Sequence, residues 1–592
     1  MADRWTLGRG EIRRGAQALA ASLFAIALTA CGGDEAAAPS GTGPDGASAA
    51  ISEAHDYDAI IRGGMVYDGS GAPARVADVA IDGDRIARIG DLSTASGEIE
   101  IDAAGRAVAP GFINMLSWAT HSLIEDPRAL SDVAQGVTLE VMGEGWSMGP
   151  WTEEMKADNV ARQRDIKFDI EWTTLGEYLQ HLEDRGVAPN VASFVGATTV
   201  RIHEVGYEDR PPTEEELDRM TTLVREAMEE GALGVGSSLI YAPAFYAGTD
   251  ELVALAAAAG EYGGAYISHL RSESVRLLEA VDELIDISRR SGAAAEIFHL
   301  KASGEDNWDK LDGVFEKVEA AQAEGLDIRA NMYTYPASST GLNASMPTWV
   351  QEGGHNAWVE RLKDPEIRAR VIQEIRNPPE DWQPSIAQAG GADGVLLVGF
   401  KTDRLKPLIG KTLAEVAAER GVSPEDAMID LVIEDDHRID VVYFTMSEDN
   451  VMRKIARPWV SFGSDAGAPA PEGVFLQSST HPRAYGTFAR LLGKYVRDEK
   501  VIPMEEAIRK LTSLPAERLK LEGRGRLTPG HYADVVVLDP AKISDKATFK
   551  EPHQLSVGVE HVFVNGERVL ADGAPTGATP GRFLKGPGYQ AE

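Results

Sequence analysis

Four polar side chains each close a short apolar run in this 592-residue chain. Ala265-Tyr266-Ile267-Ser268 runs into His269, and Ala295-Glu296-Ile297-Phe298 runs into His299. Val460-Ser461-Phe462-Gly463-Ser464 ends at Asp465, and Val141-Met142-Gly143 ends at Glu144. The two histidines are 30 residues apart, the length of one strand-and-helix unit, which sets their imidazoles at the same height on neighbouring strands. Two imidazoles and a carboxylate can hold one zinc ion with a fourth position left for water. A further free carboxylate can take the proton of that water.

The elements that must carry these residues show in the texture of the chain. Between about 110 and 515, β-type runs at Val137–Met142, Val191–Val195, Leu233–Ser237, Ala265–Ser268, Ala295–Phe298, Ile328–Met332 and Val460–Gly463 alternate with helical stretches. One such stretch, Thr213–Glu230, opens with the cap signal Pro211-Pro212-Thr213. Alternation of this kind implies a parallel sheet with right-handed crossovers, and this many units predict an α/β fold, a (β/α)₈ TIM-like barrel. Its site would lie at the C-terminal ends of the strands, where the four polar residues fall. Residues 345–440 exceed one unit and read as an insertion before the last strand. Hairpin signals at Asp82-Gly83 and Asn565-Gly566 lie in the β-rich ends 57–109 and 516–592, which predict one small β-sandwich domain built from both ends.

Composition narrows the function classes. The chain is 43% hydrophobic and 26% charged, which is globular usage. Its formal charge of −35 repels phosphate backbones and excludes a nucleic-acid partner. The single cysteine, Cys31, excludes an intramolecular disulfide, a Cys-ligated zinc site and an iron–sulfur cluster. No phosphate-cradling or dinucleotide fingerprint is present.

Several short motifs resemble one family. Ala109-Pro110-Gly111-Phe112-Ile113, His269-Leu270-Arg271-Ser272-Glu273, His299-Leu300-Lys301, Gly463-Ser464-Asp465, His481-Pro482-Arg483 and Gly525-Arg526-Leu527-Thr528-Pro529-Gly530 look like the amidohydrolase superfamily, and more narrowly the N-acyl-D-amino-acid deacylases, or D-aminoacylases. The resemblance runs from about Tyr57 to Lys585 and implies zinc-dependent hydrolysis of N-acyl amino acids. It implies His269 and His299 as metal ligands, Asp465 as the catalytic base that passes a proton to the leaving amine, and Lys301, Arg483, Tyr241, Tyr333 and Tyr335 as substrate-binding groups. Arg271 and Glu273 are expected to pair with each other behind the ligands. Two departures matter. The family's Asp-x-His-x-His on the first strand is Asn114-Met115-Leu116-Ser117-Trp118 here, with His121 three residues late, so one zinc ion is expected rather than two. The family's turn cysteine is matched approximately by Glu144, a pattern similar to that of amino-sugar phosphate deacetylases, with Glu140 as its rival on the same strand face. Competing readings are a dipeptidase or cyclic-amide hydrolase on the same scaffold, and a binding lipoprotein without activity; the retained His269, His299 and Asp465 argue against the last.

The first 30 residues read as a lipoprotein signal peptide. Arg13-Arg14 precedes a short apolar run, and Leu28-Thr29-Ala30-Cys31 resembles a bacterial lipobox in which Cys31 is lipidated. Residues 31–56 are rich in small residues and read as a flexible linker. The expectation is an exported enzyme attached to the cell envelope by an N-terminal lipid anchor and acting on small molecules; oligomeric state is not readable from the chain. Cell fractionation tests this: wild type should sediment with membranes and Cys31→Ser should not, whereas equal soluble pools of both would contradict it.

Overall fold

A computed structural model describes residues 55–591. The expected signal peptide, Cys31 and nearly all of the expected linker lie outside the described residues. Eight parallel strands form the central barrel: β1 (Phe112–Asn114), β2 (Val137–Met142), β3 (Asn190–Ser193, continued by Val195–Gly196), β4 (Gly234–Ser238), β5 (Ala265–His269), β6 (Ala295–Ile297), β7 (Ile328–Met332) and β8 (Val460–Phe462). Backbone bonds from Met115 N to Phe462 O (3.1 Å) and from Asp465 N to Leu116 O (2.8 Å) close the ring between β8 and the chain leaving β1. Among the described residues no helix is long and apolar enough to cross a membrane.

Side-chain alternation sorts each strand into an inner and an outer face. Ile113, Leu139, Val141, Ala192, Phe194, Ala265 and Ile267 pack together inside the barrel. Val137, Met142, Val191, Val235, Tyr266, Ile297, Ala330 and Phe462 face the surrounding helices. Those helices carry the caps their sequences announce. Thr213 accepts from Glu216 N (3.2 Å) and Glu216 accepts from Thr213 N (2.7 Å), which starts Glu214–Glu230.

Both chain ends contribute to one nine-stranded sheet, in which Ala107–Pro110 pairs with Val535–Leu538. Here alternation serves two cores at once. Val535 and Val537 face Ile61, Val79, Ile81 and Phe563 within the sheet domain, while Val536 and Leu538 join the outer core of the barrel. The chain then returns to the barrel, where Phe583 and Leu584 bond alongside Val191.

The insertion starts earlier than its composition indicates. Its antiparallel sheet pairs Ser338–Gly341 and Val395–Gly399 on either side of Asp440–Tyr443 and packs with helices around a separate apolar core. Ser338–Gly341 follows β7 almost directly, so the first strand of the insertion forms one wall of the barrel mouth.

A buried ion pair supports the barrel interior. Arg518 Nε donates to Glu296 Oε2 (3.2 Å), Asn331 Nδ2 donates to the other Glu296 oxygen (3.0 Å), and Asn331 Oδ1 accepts from His299 N (2.8 Å). Removing one partner of a buried pair leaves an uncompensated charge, at a cost of about 3–5 kcal/mol. Arg518→Met should therefore lower unfolding free energy by roughly that amount in denaturant titration, and Arg518→Met/Glu296→Leu should lose less.

Candidate metal centre

Each ligand reaches the barrel mouth by a different local device. Ala265 and Ile267 face inward, so alternation along β5 carries His269 inward as well. His299 follows Phe298, which already faces inward, and strict alternation would turn it out. Its left-handed backbone (φ +34°), pinned by the bond to Asn331, turns it back. Asp465 sits in a similar left-handed bend (φ +49°), and Asn114 Oδ1 accepts from the preceding Ser464 N at 2.8 Å. Glu144 stands in a Gly143-Glu144-Gly145 turn. A Cβ on Gly143 (φ +103°) would lie 2.2 Å from Phe194 O, and one on Gly145 would lie 1.8 Å from Ser238 Oγ, so only glycine fits on either side.

The result is a compact, buried cluster. Glu144 Oε1 lies 2.9 Å from His269 Nδ1 and 2.8 Å from His299 Nε2, and the three ligand atoms fall within 4.8 Å of one another. Two ring nitrogens and a carboxylate oxygen converging out of solvent suit zinc, and all three residues line the cavity. Burial opposes charge on Glu144, but His299 and His269 overcome it and hold the carboxyl well below its ordinary range. Burial and Lys301 oppose charge on His299, whereas Glu144, Glu273 and Asp465 raise it to about 9. A bound dication would take the place of those protons.

Glu273 forms the layer behind the ligands. Its oxygens lie 3.4 Å from His269 Nε2 and 3.2 Å from His299 Nδ1, and it accepts from Lys301 Nζ at 2.6 Å. The expected Arg271–Glu273 pair does not form. Arg271 instead grips Glu283 and the carbonyls of Phe245 and Ala247. Lys301 borders the cavity, with its ammonium engaged by Glu273 and 2.7 Å from His299 Nδ1.

Asp465 is the separate carboxylate. Burial pushes its carboxyl upward, Arg483 opposes the shift and Glu144 adds to it. Arg483 Nη1 lies 2.7 Å from Asp465 Oδ2, and its Nη2 donates to Ser339 O on the insertion strand (3.2 Å). The guanidinium sits 4.5 Å over the Tyr333 ring, and Arg483 Nε and the Tyr333 hydroxyl are buried with no partner. Tyr241 sets its ring edge against His269 and bonds through its hydroxyl to Thr340 (2.8 Å). Tyr335 turns away to Asp545.

Two rival residues lie elsewhere. His121 is half-buried against Phe168, and desolvation lowers it to about 4. Glu140 faces away from the barrel interior, because its neighbours Leu139 and Val141 face in, and it shares Asn114 with Asp132. The turn at Gly143 ends the strand geometry that would have aligned Glu140 with Glu144. Sequence reasoning missed the part taken by Trp118. Its indole N–H donates to Glu144 Oε2 (2.9 Å) and Asp465 Oδ1 (3.2 Å).

Known proteins can be set beside this geometry. The amidohydrolase family profile matches residues 100–570. A D-aminoacylase of Alcaligenes xylosoxydans xylosoxydans is 33% identical over 537 residues, covering 90% of this chain and 98% of that protein. The crystal structure of N-acyl-D-glutamate deacylase from Bordetella bronchiseptica, complexed with zinc and a phosphonate mimic of the tetrahedral intermediate, superposes with a TM-score of 0.74 at 29% identity, covering 89% of this chain and 99% of that one. A D-aminoacylase structure described as having a binuclear metal centre gives the same TM-score, 0.74, at 32% identity, covering 89% of this chain and all of that one (100%).

Partners behind metal-ligating histidines typically govern affinity by about 10–100-fold. Glu273→Gln should weaken zinc binding by roughly that factor in chelator competition while leaving all three ligands in place. Unchanged affinity would show that Glu273 serves Lys301 alone.

Proposed function

This chain belongs to the amidohydrolase family and, within it, to the D-aminoacylases, metal-dependent hydrolases of carbon–nitrogen bonds other than peptide bonds; from that premise we propose that its substrates are N-acyl-D-amino acids and that it works with one zinc ion. The observation that carries the reading is a buried pocket of two histidines and one carboxylate, with a second carboxylate, Asp465, joined to the first through a single indole N–H. Glu144, His269 and His299 would hold the ion. When bound, zinc polarises an acyl carbonyl and makes water easier to deprotonate.

The chain's own residues supply the rest. Asp465 stands outside the three converging ligands and its carboxyl is shifted upward, which suits a group that accepts a proton and gives it back. It takes a proton from the attacking water, whose oxygen joins the acyl carbon, and returns it to the amine nitrogen as the C–N bond breaks. Arg483 and Tyr333 border the cavity and carry an unpartnered Nε and hydroxyl, which suits them to the substrate carboxylate.

The cavity holds about 1850 Å³, far more than a small acyl amino acid fills. Thirteen carboxylates line it against six lysines and arginines. A second negative charge on the substrate is therefore disfavoured, and the reading narrows to substrates with neutral side chains and a bulky acyl group. Tethering through Cys31 to the cell envelope belongs to the same proposal.

A panel of N-acyl-D- and N-acyl-L-amino acids, assayed with and without zinc, tests it. Zinc-dependent hydrolysis of neutral D-compounds is expected, at one metal equivalent per chain; no hydrolysis of any acyl amino acid would overturn it. Asp465→Asn should keep zinc and substrate binding but lose hydrolysis. Because Arg483 serves both Asp465 and the substrate, Arg483→Ala should raise KM by at least about tenfold and also lower kcat.

A further inference from the structure

We infer that Trp118 is a positioning residue for the catalytic base, its indole N–H standing between two carboxylates where a site of this charge would otherwise need a second cation. The inference rests on the reading of Asp465 as base and Glu144 as ligand. The geometry assigns every oxygen of both groups. Glu144 Oε1 faces the imidazoles and Oε2 accepts from Trp118 Nε1 (2.9 Å); Asp465 Oδ2 faces Arg483 (2.7 Å) and Oδ1 accepts from the same Trp118 N–H (3.2 Å).

The backbone fixes the indole at that point. After β1, Ser117 N donates to Val141 O (2.8 Å) and Trp118 N donates to Ala466 O (2.9 Å), so this strand extension is laced to both neighbours. Glu144 and Asp465 come from the loops following those two neighbours. Trp118 is thus placed between the ligand and the base. The first strand offers no competing metal ligand, because Leu116 is buried in the barrel interior and the indole N–H is a donor only. A neutral donor shared by two like charges offsets their repulsion and fixes the direction in which Asp465 Oδ1 points, yet it cannot itself recruit an ion.

Trp118→Phe removes the N–H and keeps an aromatic ring at a position 37% exposed to the cavity, so the fold accommodates it. In the zinc-loaded enzyme, kcat should fall on the order of ten- to a hundredfold, the usual worth of a hydrogen bond to a charged group. KM should stay within about twofold, as expected for an interaction felt in the chemical step, and zinc content should stay at the wild-type value. A second readout needs no turnover. In ¹⁵N-tryptophan spectra, the indole signal absent from Trp118→Phe should move in Asp465→Asn. Wild-type kcat in Trp118→Phe, loss of zinc from that variant, or an indole signal indifferent to Asp465→Asn would each overturn the inference. A fully active Asp465→Asn would instead overturn the assignment of the base on which it rests.

Discussion

Three carboxylates largely withdrawn from water within one site set the terms for this structure. Glu144 and Asp465 are buried at the barrel mouth and Glu273 is mostly so, and an ionised carboxylate taken from water costs several kcal/mol unless it is paired. Several cationic and donor groups nearby are placed to meet that cost. The two imidazoles and Trp118 serve Glu144, Lys301 serves Glu273, and Arg483 with Trp118 serves Asp465. A zinc ion held by Glu144, His269 and His299 would complete the balance and turn a costly arrangement into a reactive one.

The barrel makes that concentration of charge possible by delivering each group from a separate strand. Alternation alone suffices for His269. His299, Asp465 and Glu144 need irregular backbone, and each irregularity is held by a specific contact: Asn331 for His299, Asn114 for the bend at Ser464, and glycine flanks for Glu144. Asn331 also reaches Glu296 and, through it, Arg518, so the interior ion pair and the ligand turn form one connected network. The insertion adds the outer wall, where Ser339 and Thr340 fix Arg483 and Tyr241.

What the sequence made legible was whatever local pattern dictates. The apolar runs that lead to His269, His299 and Asp465 and the alternation of the barrel were legible, although the strands before His299 and Asp465 stop at Ile297 and Phe462. The missing first-strand histidines were equally visible, but what replaced them was not. The indole of Trp118 meets Asp465 across 347 positions of sequence, through a barrel closure that no local pattern encodes. Glu273 was seen but paired wrongly, because Arg271 and Glu273 are neighbours in sequence while their side chains diverge to Glu283 and Lys301. The start of the insertion was placed late, since Ser338–Gly341 is too short and polar to read as a strand.

The central claim is a single metal position made by Glu144, His269 and His299. Anomalous diffraction at the zinc edge from crystals of the metal-loaded enzyme tests it most directly. The account predicts one peak about 2.0–2.2 Å from Glu144 Oε1, His269 Nδ1 and His299 Nε2, with the Trp118 indole still between Glu144 and Asp465. A second peak of equal height between Trp118 and Asp465, or a single peak away from those three atoms, would contradict it.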